Sequence, residues 1–304
     1  MRNYLIVTIL CLSAASSAQA EKQLLRWKLK EGEVYSLKMS IKSHEDYIEN
    51  EKTDDALTFK RRQTIDVEAD VTWTVTDVSS DIIGIDMTLD RIRFKQKDGS
   101  GAEWDWDSAT DVETEENRTI AMWMREGLGK VAHAEMTNRG EILSIEPTWK
   151  DYQHTFGKII MYGAGNKPES TLEVLKLLLI TLPEEAVDEK ETWIYRQVDY
   201  WDGGRTTSRA DVEIVPGTEA TPEGAIRLSA KHVLAISSDR GKPTYKVVSY
   251  TGTATADFDS SAGRILKAER NWDLTMKVTM GRWVLGNPVL SARSTLEIKP
   301  VTQD

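Results

Sequence analysis

Strict alternation between apolar and polar residues, sustained over many stretches, constrains this fold more than any other feature of the chain. Tyr35, Leu37, Met39 and Ile41 alternate with Ser36, Lys38, Ser40 and Lys42. Val67, Ala69, Val71, Trp73 and Val75 alternate with acids and threonines, and Ile83, Ile85, Met87 and Leu89 repeat the pattern before Ile92 and Phe94. Ile226, Leu228 and Ala230 alternate in the second half, as do Trp272, Leu274, Met276, Val278 and Met280 against Asp273, Thr275, Lys277 and Thr279. Successive side chains of a strand point to opposite faces, so each run buries one face and wets the other, the pattern of antiparallel sheet. Asn138-Arg139-Gly140, Asp202-Gly203-Gly204 and Ser261-Ala262-Gly263 supply the turns.

A helical period interrupts this pattern in the middle. Ile120, Trp123, Met124 and Leu128 fall at helical spacing. Ser170-Thr171-Leu172-Glu173 fits a capping box, Leu172, Leu175, Leu179 and Leu182 make one apolar face, and Pro183 stops the helix. Residues 150–162 read as a further helix. The expected fold is therefore mainly β with a central helical segment (α+β), built of curved antiparallel sheets. An internal echo predicts two similar halves, 21–150 and 185–304, joined by a helical connector over 151–184. Glu31 to Tyr35 leads into a strand as Glu189 to Trp193 does. Ala134 to Ser144 and Ala256 to Lys267 each read as strand, Gly turn and a return strand opening on Ile-Leu.

The first twenty residues read as a secretory signal. Arg2 precedes the short apolar run Tyr4 to Leu12, and Ala18-Gln19-Ala20 offers a cleavage site. The run is shorter than the roughly 20 apolar residues that span a bilayer. The expectation is an exported protein, periplasmic or extracellular, beginning at Glu21. The single cysteine, Cys11, lies inside the signal. The mature chain then has no disulfide, no thiolate nucleophile and no cysteine-bound metal. Losing Arg2 takes the net charge from −10 to −11. Such a chain repels nucleic acid and anionic lipid in bulk, and Lys60-Arg61-Arg62 is its one compact basic cluster.

Two segments carry a resemblance. Leu182 to Trp193 (LPEEAVDEKETW) and the late Gly263-Arg264-Ile265-Leu266 hairpin resemble a family of secreted bacterial proteins of unknown function, common in planctomycete-type genomes. Glu189-Lys190-Glu191 departs from the family's Gly-Asp at that turn. The resemblance implies export and a β-rich, two-part fold, and brings no activity with it. A looser architectural likeness is to the half-barrel lipoprotein carriers, which hold lipid between a bent sheet and helices.

Motifs of catalysis are absent. There is no Gly-x-Ser-x-Gly, no phosphate loop and no dinucleotide fingerprint. His44, His133, His154 and His232 are scattered without a His-x-x-x-His pair, and His232 reads as a structural strand histidine. Asp105, Asp107 and Asp111, in an acidic stretch without EF-hand spacing, are the candidate calcium ligands. Tryptophan is abundant, at ten residues, and most of these read as core. Trp104 and Trp106 differ, as two same-side aromatics in an acidic loop that suit an exposed contact tip.

The expected function is a non-enzymatic binding protein that needs no cofactor. An apolar or amphipathic ligand lies between the curved sheet and the helix bearing Leu172, Leu175 and Leu179. The alternative is an envelope scaffold or adhesion module that grips protein or glycan through the Trp104–Asp111 loop. A third class, a hydrolase with dispersed carboxylates, needs an acid pair that only space can reveal.

Overall fold

A computed structural model describes residues 22–48, 60–115, 118–125, 128–147, 178–189, 191–201, 204–238, 244–280 and 283–301. The first half supplies β1 (Val34–Ile48), β2 (Lys60–Val78), β3 (Ile82–Asp98), β4 (Glu103–Asp107), β5 (Val131–Thr137) and β6 (Ile142–Pro147). The second supplies β7 (Thr192–Trp201), β8 (Gly204–Val215), β9 (Ala225–Ser238), β10 (Thr244–Asp259), β11 (Arg264–Met280), β12 (Trp283–Gly286) and β13 (Val289–Pro300). All thirteen strands join one sheet in the order β6-β5-β3-β2-β1-β13-β11-β10-β9-β8-β7, with β4 on β3 and β12 on β11. Every strand pairing is antiparallel. The two sides meet where β1 pairs β13, from Tyr35↔Pro300 to Asp46↔Val289.

The register turns the sequence alternation into two unlike faces. One inner row reads Ile92, Ala69, Met39, Leu296, Ala268, Ala256, Leu228, Ile214 across eight strands, all apolar. A row on the other face reads Asp105, Lys95, Asp66, Lys42, Arg293, Asn271, Thr253, Lys231, Asp211. Charges of opposite sign alternate from Asp105 to Lys42, with Lys42 at 3.2 Å and Lys95 at 3.8 Å from Asp66 and Asp105 respectively. Cross-strand pairs of this kind each contribute a few tenths of a kcal/mol, on the order of 0.2–1. A face so charged meets water, since a lipid-facing barrel wall is apolar. No helix among the described residues is long and apolar enough to cross a membrane.

Two segments fill the inner side at one end of the sheet, here called the hairpin end. In residues 22–29, Leu25, Trp27 and Leu29 are buried in the same core as the strands. The Trp27 amide donates to Asn138 in the β5–β6 turn and the Lys28 amide to Gly263 in the β10–β11 turn, both at 2.8 Å. Gly140 and Gly263 back directly onto Trp27 and Lys28. Both Gly hairpins, β5–β6 and β10–β11, thus hold one strap. The second segment, 178–187, is bridged to the first by Gln23 and Val187. The Arg26 guanidinium donates to the carbonyl oxygens of Leu25 and Pro183, each at 2.6 Å, and to that of Glu184. Leu179 and Thr181 lie in a depression flanked by the β5–β6 turn and by Ile194 to Val198 of β7, so the sheet curls its two edges toward one another.

The expected α+β class is overturned: the described protein is one large antiparallel sheet with no central helical segment. The one helix among the described residues, α1 (Arg118–Arg125), is eight residues long and covers the edge at β4. Residues 151–177, including Leu172 and Leu175, lie outside the described residues. Of the last residues of the expected connector, Leu178, Leu179, Ile180 and Leu182 are all buried, and from Leu179 onward the chain is not helical.

Candidate functional site

The inner face changes character at mid-height. One row reads Trp193, Val212, Ala230, Ala254, Arg270, Ser294, Ile41, Val67, Phe94, Trp106, one residue per strand from β7 to β4. All ten are buried, and Arg270, at 4% exposure, is the only charge among them. The next row away from the hairpin end reads Tyr195, Ala210, His232, Gly252, Trp272, Ala292. Ala210 and Gly252 flank His232 with almost no side chain of their own. Tyr195 meets that ring edge-on, with centroids 6.2 Å apart and planes at 83°. Tyr250 folds over Gly252, where a Cβ would lie 2.3 Å from its hydroxyl. Arg270 Nη2 donates to that hydroxyl at 3.4 Å.

Burial, with the nearby Arg270 charge, pushes the His232 imidazole down to about 3, so it is neutral at any physiological pH. Burial likewise pushes the Tyr195 phenol up to about 12. His232 is 6% exposed and neither ring nitrogen has a hydrogen-bond partner in the structure. A buried polar group left without a partner costs about 1–3 kcal/mol. Beyond this row the inner face is apolar but less tightly covered. Leu234 and Ile236 on β9, Tyr245 and Val247 on β10 and Trp272 on β11 are half-buried. Leu274, Met276 and Val278 are buried yet stand apart from the continuous core. The geometry is an apolar wall with a few polar groups at its base.

The other candidates fall elsewhere. Trp106 is fully buried and Trp104 half-buried, both on the inner face opposite Phe94 and Gln96, and Arg125 of α1 lies 5.7 Å over the Trp106 ring. The pair folds back onto the sheet instead of forming an exposed tip. Asp107 takes a paired contact from Arg91, with Nε donating at 2.9 Å, while Asp105 accepts from Arg93. Asp111 accepts the Asp107 amide at 2.6 Å. These carboxylates are engaged by cations and backbone, and among the described residues no group of three or more His, Asp or Glu converges to hold a metal. Leu179 is buried beside the β7 edge. Arg62 of the basic cluster pairs with Asp46 at 2.8 Å, and His133 with Asp86 at 2.6 Å. His154 lies outside the described residues.

Arg270 escaped the sequence reading, although a signal for it was present. Counting back by two from Leu274 and Trp272 puts Arg270 on the buried face, where an arginine is out of place.

No family model matches the chain, and no curated protein matches it. The likeness to secreted planctomycete-type proteins therefore has no counterpart in these comparisons. Among solved structures, the chain is similar to lipovitellin, in a structure concerned with its lipid–protein interactions. The identity is 10% over 91% of this chain and 26% of that one, with a TM-score of 0.46. The chain thus spans about a quarter of the lipovitellin chain. An outer membrane channel from Pseudomonas putida F1 is similar at 9% identity, over 90% of this chain and 98% of that one, with a TM-score of 0.28. DynF, from the dynemicin biosynthesis pathway of Micromonospora chersina, is similar at 8% identity, over 92% and 86%, with a TM-score of 0.22. At these scores the likenesses assign no function.

Proposed function

We propose that this is an exported, non-enzymatic binding protein that holds an apolar or amphipathic ligand against the inner face of its curved sheet. One observation carries the reading. The inner face is filled by the chain's own segments at the hairpin end, but beyond the His232 row it presents apolar side chains that keep partial exposure: Leu234, Ile236, Tyr245 and Val247. An apolar wall that the described core does not close is what a ligand of this class needs. The helix expected to cover the ligand has no place in this version. The ligand lies on strands β9 to β11.

Native mass spectrometry of the mature protein, purified from its own envelope fraction and extracted with organic solvent, tests the proposal. An apolar molecule at near one per chain is the expected result. Val247→Asp, which puts a charge on the wall, is expected to release it. Val248→Asp, at a bulged position 62% exposed on the opposite face, is expected to retain it. A clean apo mass, together with no uptake of added lipid, overturns the reading.

A further inference from the structure

We infer that the free edge of β7 receives an extended segment of a protein partner, added to the sheet as a further antiparallel strand. The segment carries an acidic residue with an apolar residue two positions away on each side. This concerns the sheet edge and its outer face, and is independent of the ligand on the inner face.

β7 ends the sheet, and among the described residues no strand pairs its other side. In an antiparallel ladder every second residue of an edge strand turns its N–H and C=O away from the neighbour, so β7 offers a row of unused donors and acceptors. The opposite edge is blunted, since β6 has six residues and ends at Pro147. β7 has ten residues and no proline. A cavity of about 290 Å³ runs beside Ile194 to Val198, with Arg139 to Ile142 and Glu184 on its far bank. The edge therefore faces open space over those five residues.

The side chains of the edge select what fits. Ile194, Arg196 and Val198 alternate onto the outer face, and the two apolar ones keep 53% and 42% of their surface exposed. Further across this face opposite charges are matched, with Asp66 set between Lys95 and Lys42. At the edge, Arg196 stands opposite Arg209, and like charges so placed are destabilising. Asp211 holds Arg209 at 2.7 Å, whereas the Arg196 side chain has no ion pair or hydrogen bond among the described residues. An added strand sets one side chain opposite each of the three. A carboxylate opposite Arg196 supplies the missing counter-charge, and apolar side chains opposite Ile194 and Val198 cover them. A second copy of the chain fits poorly. Any two-fold pairing of β7 with itself that covers Ile194 to Val198 sets the two Arg196 side chains opposite or diagonal to one another.

Three capped heptapeptides, titrated against the full chain, test the pairing. The first alternates threonine with valine, glutamate and valine in turn. The second has lysine for glutamate. The third keeps the glutamate but has proline at its third and fifth positions, which breaks the strand. The first is expected to bind about tenfold tighter than either of the others and to slow hydrogen exchange at the outward amides of Thr192–Trp201. Arg196→Glu, at an exposed position, is expected to reverse the order of the first two peptides. Equal binding of the glutamate and lysine peptides, equal binding of the proline form, or no binding at all overturns the inference. So do outward β7 amides already protected in the free protein, whether sedimentation shows a second copy covering them or a monomer that covers them itself. None of these outcomes bears on the ligand sought by native mass spectrometry.

Discussion

Gly263 shows how much one residue holds at the hairpin end. Its φ is +63°, a left-handed conformation that costs an L-residue roughly 1–2 kcal/mol. A Cβ there would sit 2.4 Å from Lys28 Cβ and Cγ and 2.7 Å from the Lys28 amide nitrogen, so the strap over 22–29 must shift to admit it. Overpacking of that kind adds roughly 1–3 kcal/mol. Gly224 has a φ of +78° but open space around its missing Cβ. Gly263→Ala is therefore expected to lose roughly 2–5 kcal/mol in urea unfolding, and Gly224→Ala only roughly 1–2. Equal losses would mean that the strap does not rest on the β10–β11 turn. The same scale explains His232. A strand histidine in a sequence reads as hydrogen-bonded structure, because most are. Only the register, which sets it between Ala210 and Gly252 and away from any partner, distinguishes this one.

At the scale of the element, β4 illustrates how an edge is fastened by charge. Its five residues pair with β3, and Asp107 faces the Arg91 guanidinium, which donates through Nε and Nη2. That contact, with help from the Ala109 amide, holds the Asp107 carboxyl down to about 2. A carboxyl whose folded value lies below its unfolded one, near 3.9, stabilises the fold fully above that value. The contribution is lost as pH falls from about 4 through about 2. Because the Arg91 side chain is 39% exposed, water screens the pair, and the contribution is on the order of 1–2 kcal/mol. Asp107→Asn is expected to be less stable than wild type by that amount at pH 7, and the gap is expected to close as pH approaches 2. A gap that persists at pH 2 would place the loss in packing instead. Strands of this kind were legible because alternation is local: the runs read at Tyr35, Val67, Ile83, Ile226 and Trp272 all fall within strands. The leucine run was not. Leu179 and Leu182 continue the 3–4 spacing yet are not helical, because buried non-helical segments can carry the same spacing as helices. The acidic loop misled for a related reason: the basic residues that face its aspartates, Arg91, Arg93 and Lys95, stand on the neighbouring strand, a relation that register alone reveals.

For the whole molecule, the decisive fact is that the last strand pairs with the first. β13 lies between β1 and β11, so residues from both ends of the chain share one inner row through Met39, Leu296 and Ala268. Residues 22–29 tie the two sides together again, through Asn138 on one and Gly263 on the other. Separating the sides would break a ladder of paired residues from Tyr35 to Asp46 and bare the apolar face along it. A break so costly predicts one cooperative unfolding transition for the described sheet. Closing the β1–β13 ladder before any return also predicts slow folding, since its contacts span most of the chain. Leu296, 1% exposed, sits at the junction, and Leu296→Ala is expected to cost about 2–5 kcal/mol. Buried tryptophans report from both sides, Trp73 and Trp106 from one and Trp193 from the other. In urea, tryptophan emission and far-UV circular dichroism are therefore expected to shift together in Leu296→Ala, as a single midpoint lower than wild type. Two separated midpoints would show that the β1–β13 junction is a seam between independently stable sides. The ligand face on β9 to β11 would then belong to one side alone. A single midpoint makes that face a property of the whole sheet, shaped by strands as far away as β3.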